Sequence, residues 1–204
     1  IQLNDTHPAV AGAELVRLLV DENGLLMDDA IEIARNCLGY TNHTLLPEAL
    51  ERWDEELFAR VLPRHHRIIQ LIEEAHLKAT DGSVRIIEDG AVKMGELAFI
   101  MAHKVNGVSA LHSELVKQTV FSDLHQAYPD RITNMTNGVT PRRWLYSCNP
   151  PLRALINRSI GTEWPDDLER LQGLEKFAGD AGFQTDFRAA KMRNKERLSN
   201  WLMQ

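Results

Sequence analysis

Apolar residues recur at helical spacing along most of this chain, and loops rich in Asn, Asp, Thr, His and Gly interrupt them. Val10 to Val20 is helix-compatible; Asn4, Asp5 and Thr6 supply capping side chains ahead of it, Pro8 suits its first turn and Gly24 stops it. A second helix is predicted from Asp28 to Leu38, with Ile31, Ala34 and Leu38 on one face before Gly39. Pro47 opens a short helical turn, Asp54 begins another, and Pro63 begins a longer helix with Ile68, Ile69, Ile72 and Ala75 at helical spacing.

Met94 to Lys104 and Ser109 to Lys117 read as two further helices. Between them Val105, Asn106, Gly107 and Val108 form a break where glycine permits a turn or a close backbone approach. Pro141 starts a helix carrying Trp144, Asn149 with Pro150 and Pro151 caps one that ends at Gly161, and Phe183 to Met203 forms a long amphipathic helix. Strand signals are few: the opening run Ile1, Gln2, Leu3, and Val84 to Ile87 between the turn signals Asp81-Gly82 and Asp89-Gly90. The pattern predicts a mostly α chain. Its strand-like start and its close inside a helical pattern at Trp201 are what an internal piece of a longer polypeptide predicts.

Composition narrows the class. With 44% hydrophobic and 25% charged residues the chain can bury a core, and its 204 residues suit one or two domains. A net charge of −6, with both signs interspersed, argues against a nucleic-acid partner. Apolar runs such as Leu97 to Ala102 are too short to span a bilayer and no charged-then-apolar leader opens the chain, which predicts no membrane association and a cytoplasmic location. Cys37 and Cys148 lack a C-x-x-C neighbour and are expected to be reduced, buried thiols. Eight histidines show no zinc spacing, and the adjacent His65 and His66 lean to opposite sides of a helix, so no metal site is predicted. Neither Gly-rich nucleotide motif occurs.

Three polar loops carry the candidate chemistry: Leu3 to Pro8, Tyr40 to Thr44, and Thr136 to Pro141. Asn, His, Thr and Asp offer short, rigid donors and acceptors that match the alternating hydroxyls of a sugar. The same residue types also cap helices, and Gly138 also fits a turn. A glycoside hydrolase would require two carboxylates, for which Asp5, Glu48 and Asp54 are available, but no spacing selects a pair.

At these loops the chain resembles the glycogen, starch and maltodextrin phosphorylases, the α-glucan phosphorylase family. The matching strings are IQLNDTHP (1–8), YTNHTLLPEALERW (40–53), LPRH (62–65), AHKVNGVSALHSELVK (102–117) and TNGVTPRRWL (136–145). The resemblance implies a mostly α fragment of an α/β parent with two Rossmann-like domains of the GT-B type and an active site in the cleft between them. Residues 1–134 would end the N-terminal domain and residues 135–204 would start the C-terminal, cofactor-binding one. The implied reaction is retaining transfer of the terminal α-1,4-linked glucose to inorganic phosphate, with the 5′-phosphate of pyridoxal 5′-phosphate as acid/base partner, in a homodimeric parent.

The resemblance assigns His43 to the catalytic subsite, its backbone carbonyl and ring supporting the 6-hydroxyl and the developing oxocarbenium ion. Asn137 would hold the same hydroxyl, Val108 would line the sugar face and Thr44 would assist; Asp5 and His7 would sit in the neighbouring pocket and Trp144 against the cofactor. None of Lys78, Lys93, Lys104, Lys117, Lys176, Lys191 and Lys195 lies in the family's Schiff-base motif, so this polypeptide alone is expected to hold no covalent cofactor and to be inactive. The family's phosphate-binding basic residues lie beyond this segment too. The Lys78 to Met94 stretch is shorter than in the animal enzymes, where that surface contributes to a glycogen storage site, and the N-terminal regulatory region has no counterpart here. A non-catalytic α-glucan-binding or assembly module is the alternative reading. Exposed apolar surface is expected of the isolated segment.

Overall fold

The computed structural model describes residues 1–80 and 82–203, so Asp81 of the predicted Asp81-Gly82 turn lies outside the described residues. The chain forms two compact units, 1–137 and 138–204. The first runs β1 (Gln2–Asn4), α1 (Val10–Arg17), α2 (Met27–Cys37), β2 (Gly39–Thr41), β3 (Arg52–Asp54), α3 (Glu55–Val61) and α4 (Pro63–Ala79). It continues with β4 (Ile87–Glu88), β5 (Ala91–Lys93), α5 (Met94–Ile100), β6 (Lys104–Gly107), α6 (Ala110–Gln118), α7 (Ser122–Ala127) and β7 (Ile132–Asn134).

A parallel sheet in the order β1-β2-β6-β7 organises this α/β unit. Its register sets Leu3 beside Tyr40, Tyr40 beside Val105 and Val105 beside Ile132, and all four are buried. One residue further on, Asn4, Thr41, Asn106 and Thr133 form a polar row. Successive side chains on a strand point to opposite faces, so the apolar row enters the core and the polar row faces away from it. Ala13 and Val16 of α1, Ala30, Ile31 and Ala34 of α2, and Ile68, Ile69 and Ile72 of α4 belong to the same core. A small antiparallel sheet, β3-β5-β4, stands apart from it.

The predicted helix Met94 to Lys104 ends early. Met94 to Ala102 is buried almost throughout, so apolar periodicity carries no signal for where the helix stops. Its last carbonyls are taken by two guanidiniums: Arg35 Nε donates to Ile100 at 3.1 Å, and Arg131 donates to Phe99 at 3.2 Å and to Ile100 at 3.1 Å. Cations there also complement the negative end of the helix dipole. Val105 to Gly107, read from sequence as a break, is therefore an inner strand, and Tyr40 and Thr41, read as loop, belong to its neighbour. Strands of three or four residues are too short to establish an alternation. The strand expected at Val84 to Ile87 is shifted to Ile87–Glu88 and pairs with β5 in a hairpin.

The second unit holds a π-helical stretch Arg142–Ser147, α8 (Pro150–Ile160), a 3-10 segment Leu168–Phe177 and α9 (Ala181–Leu202). Asn149 Oδ1 caps α8 by accepting from Leu152 N–H at 3.3 Å. The core of this unit is Leu155, Ile156, Trp164 and Ala190, with Trp164 Nε1–H donating to Asn157 Oδ1 at 2.9 Å. The rest of α9 is largely open: Phe187, Met192, Leu198 and Trp201 are exposed. Both cysteines are exposed, contrary to the buried thiols expected: Cys37 is the last residue of α2, beyond the Ala30, Ile31, Ala34 stripe, and Cys148 follows the turn at Arg142–Ser147. Among the described residues no helix is long and apolar enough to cross a membrane.

His76 is a buried polar member of the first core. Its Nδ1 lies 2.9 Å from Tyr128 Oη and its Nε2 lies 3.1 Å from the Val84 carbonyl, so Nε2–H donates and Nδ1 accepts from the phenol. Burial chiefly, with the charges of Arg131 and Arg35 against that of Glu73, holds the ring below its ordinary pKa of 6.5. The unfolded chain then binds a proton that the native one does not, so stability present above the unfolded value is lost as pH falls toward the native one. Urea denaturation at about pH 7.5 and about pH 5.5 is expected to show a lower midpoint at the acid value, and His76→Gln to narrow that difference while costing about 1–3 kcal/mol.

Candidate functional site

Every strand of the parallel sheet delivers a polar loop to the same carboxyl edge, where ligands of open α/β sheets bind. β1 leads into Asp5, whose left-handed φ of 62° turns the chain off the sheet. Asp5 N–H donates to the Thr41 carbonyl at 2.9 Å, and Asp5 Oδ1 accepts from Thr6 N–H at 2.8 Å. Asn4, Asp5 and Thr6 thus build this turn and do not cap α1, which starts at Val10 behind Ala9 with no side-chain cap. Thr6 is buried, and its Oγ1 has no hydrogen-bond partner among the described residues.

The loop after β2 is held from below by Asn42, a fully buried residue that sequence reasoning did not single out. Its N–H donates to the Asn106 carbonyl at 2.9 Å, its Nδ2 to Tyr40 Oη at 3.1 Å, and its Oδ1 accepts from Thr44 N–H at 3.2 Å. Burial pushes the Tyr40 phenol well above its usual range, which keeps it a neutral partner for that amide. His43 consequently projects at the surface, with Nε2 2.7 Å from Asn4 Oδ1. Thr44 Oγ1 accepts from Leu46 N–H at 3.0 Å, so its own proton remains free to donate.

β6 ends at Gly107, where a Cβ would fall 2.5 Å from Ser113 Oγ and 2.8 Å from Ser113 Cα. Only glycine lets α6 approach this closely. Val108 is fixed on both sides: its N–H donates to His112 Nδ1 at 3.2 Å, and its carbonyl accepts from Asn137 N–H at 3.0 Å. The Gly107 carbonyl accepts from Met135 N–H at 3.1 Å, and Thr41 Oγ1 donates to Asn106 Oδ1 at 2.9 Å. Two pairs of candidate loops are therefore joined directly, Asn4 to His43 and Val108 to Asn137, and Asn42 bridges to β6.

His7 stands aside from this cluster. Its Nδ1 is 2.8 Å from Glu51 Oε1, and that hydrogen bond, then the charge of Glu51, raises its pKa above 6.5. With Glu51 it borders an apolar cavity of about 350 Å³ formed by Val10, Trp53, Leu57 and Met94 among others. Asp5 does not line that cavity. Trp144 belongs to the second unit, exposed on the Arg142–Ser147 stretch, with its N–H donating to the Thr140 carbonyl at 3.1 Å.

The carboxylates considered for hydrolysis sit on separate segments, Asp5 in the turn after β1. Asp54 caps α3 through Leu57 N–H at 2.8 Å beside the small antiparallel sheet, and Glu48 lies in the exposed 3-10 turn Pro47–Ala49. Among the described residues no three His, Cys, Asp or Glu gather as metal ligands. His65 and His66 instead reach different partners, Glu14 Oε2 at 2.8 Å and Glu55 Oε1 at 3.0 Å. Sequence reasoning missed Asn4, Asn42 and His112 as supports; for Asn42 the available signal was an amide directly after the strand-forming pair Tyr40 and Thr41.

Two outcomes test this geometry. In an NMR titration His7 is expected to ionise above the ordinary histidine pKa, and Glu51→Gln to bring it back toward that value. Gly107→Ala is expected to destabilise the first unit by about 1–3 kcal/mol in chemical denaturation, because α6 must move.

Residues 1–204 match the family described as Carbohydrate phosphorylase. The chain is 45% identical over 212 residues to a glycogen phosphorylase of Chlamydia trachomatis, covering 98% of this chain and 26% of that protein. It is 45% identical to the brain form of glycogen phosphorylase from Homo sapiens, and 40% identical to a protein of Arabidopsis thaliana named alpha-glucan phosphorylase 2, cytosolic. Each match covers 99% of this chain and 26% of the relative. The chain thus spans about a quarter of the length of the curated relatives it matches. A match running through all the strand-end loops, in order, assigns the chain: it belongs to the carbohydrate phosphorylase family.

Proposed function

We propose that this chain is an internal part of an α-1,4-glucan phosphorylase, which transfers the terminal glucose of glycogen, starch or maltodextrin to inorganic phosphate and releases glucose 1-phosphate. The convergence of the loops bearing His43, Thr44, Val108 and Asn137 at one sheet edge carries this reading, since it gathers donors, an acceptor ring and an apolar side chain within one small surface. In this reading the His43 carbonyl and ring and the Asn137 amide address the 6-hydroxyl, and Val108 meets the apolar face of the sugar. The free Thr44 hydroxyl proton donates. Such contacts accelerate the reaction only insofar as they strengthen as positive charge develops on the ring. His7 borders the adjoining apolar cavity, and Asp5 shapes the turn after β1.

The unit boundary after Asn137 supports a domain division at 134/135 in a parent with two Rossmann-like, GT-B type domains. Glucan and phosphate are the proposed partners, a homodimer the proposed assembly and the cytoplasm the proposed compartment. For pyridoxal 5′-phosphate, the exposed indole of Trp144 offers an aromatic face to a planar ring. Five of the seven lysines are already engaged by neighbouring groups, which does not favour covalent attachment there. Lys93 and Lys117 are paired with Glu88 and Glu114, Lys104 donates to the Asp130 carbonyl, and Lys176 and Lys191 lie over the rings of Phe177 and Phe187.

In the complete enzyme containing these residues, glucose 1-phosphate release from maltodextrin is expected to require phosphate, and His43→Ala to lower kcat/KM on the order of 10²-fold. Glucose or maltose release without phosphate would favour the hydrolase reading. Borohydride reduction of residues 1–204 incubated with pyridoxal 5′-phosphate is expected to leave no stoichiometric pyridoxyl-lysine by mass spectrometry. One would overturn the cofactor assignment. Maltoheptaose titration of the same chain, followed by fluorescence of Trp53 and Trp144, tests the glucan-binding-module alternative, which tight saturable binding would support.

A further inference from the structure

The polar row at the carboxyl edge begins with Asn4, the last residue of β1, in register with Thr41 of β2. The next residue is anchored by its N–H to the Thr41 carbonyl at 2.9 Å, so the Asn4 side chain is held where β2 gives way to Asn42 and His43. Asn42 is pinned in turn to the Asn106 carbonyl and to Tyr40, which leaves the His43 backbone little freedom. Across this gap Asn4 Oδ1 faces His43 Nε2 at 2.7 Å, the one hydrogen bond the ring makes among the described residues.

An amide oxygen can only accept, so the nitrogen facing it carries the proton. In a neutral imidazole the other nitrogen is then a bare acceptor. Nδ1 of His43 receives no hydrogen bond from the described residues, and the side chain is exposed. The ring thus presents to a ligand the atom suited to accept a hydroxyl proton. A ring free to exchange tautomers would present a donor there for part of the time.

We infer that Asn4 is a positioning residue: it holds His43 as the Nε2-protonated tautomer with Nδ1 turned to accept from a sugar hydroxyl. The inference rests on the sugar-facing role proposed for His43, and it assigns to Asn4 the orientation of that ring. Asn4 itself need touch no sugar. An aspartate at this position still accepts from Nε2–H, whereas a leucine of similar shape cannot.

The test has two arms. Long-range ¹H–¹⁵N correlation spectra of the ¹⁵N-histidine-labelled chain, taken where the ring is neutral, are expected to show His43 protonated at Nε2 in the wild type and in Asn4→Asp. A mixture of tautomers is expected in Asn4→Leu, with the His76 resonance unchanged as the sign of an intact fold. Protonation at Nδ1 in the wild type, which needs no variant, overturns the assignment; so does an unaltered tautomer in Asn4→Leu. In the complete enzyme Asn4→Leu is expected to lower kcat/KM for maltodextrin phosphorolysis about tenfold, the worth of one hydrogen bond, and Asn4→Asp to retain most of the activity. A shifted tautomer with unchanged phosphorolysis overturns the inference through its premise, the role of His43. A fall in phosphorolysis with an unshifted tautomer overturns the part given to Asn4 and leaves that premise standing.

Discussion

Leu3, Tyr40, Val105 and Ile132 form one straight row across four short parallel strands, and the rest of the first unit depends on that register. Because the side-chain period of a strand is two, a slip by one residue would turn Asn4, Thr41 and Asn106 into the core and expel the apolar row. Burial of the apolar row therefore also determines which residues stand at the carboxyl edge. The polar row is tied together on its own face: Gln2 Nε2 donates to Thr41 Oγ1 at 2.8 Å, and that hydroxyl donates to Asn106. The core and the candidate site are two faces of a single pairing.

The inner strand β6 is secured at both ends. Arg131 precedes β7, accepts from Val105 N–H through its carbonyl at 2.9 Å, and sends its guanidinium to the last carbonyls of α5. The same guanidinium lies 3.6 Å from the centre of the Tyr128 ring, and Tyr128 bonds to His76. Burial lowers the Arg131 pKa to about 10, still well above neutrality, so the cation persists. At the other end Gly107 allows α6 to close against the strand, and His112 and Asn137 hold Val108 between them. A side chain at Gly107 would thus push on Ser113 and His112, the latter the partner of Val108 N–H.

Family, helix positions and the polar loops were legible in the sequence because each rests on local chemistry. The α2 and α4 stripes recur at helical spacing, Asp54 and Asn149 cap the helices that follow them, and the strings around His43 and Asn137 lie within the family match. The inner strands were not legible. Val105 to Gly107 and Ile132 to Asn134 are too short to alternate visibly, and Gly107 reads as a turn until α6 is seen packed against it. Exposure of Cys37 and Cys148 was likewise misjudged, because a preference averaged over proteins says nothing about where a particular helix ends.

By itself the sequence determined which residues carry hydrogen-bonding chemistry and which family they match, since side-chain identity and motif spacing are properties of the linear chain. Only the tertiary structure decided which of them meet. Asn4 and His43 are 39 residues apart and become neighbours through the pairing of β1 with β2. Val108 meets Asn137 through the pairing of β6 with β7, while His7 is drawn off toward Glu51 and an apolar cavity. Contacts of that kind are set by strand register, which the burial of Leu3, Tyr40, Val105 and Ile132 selects cooperatively and no short stretch of sequence specifies alone.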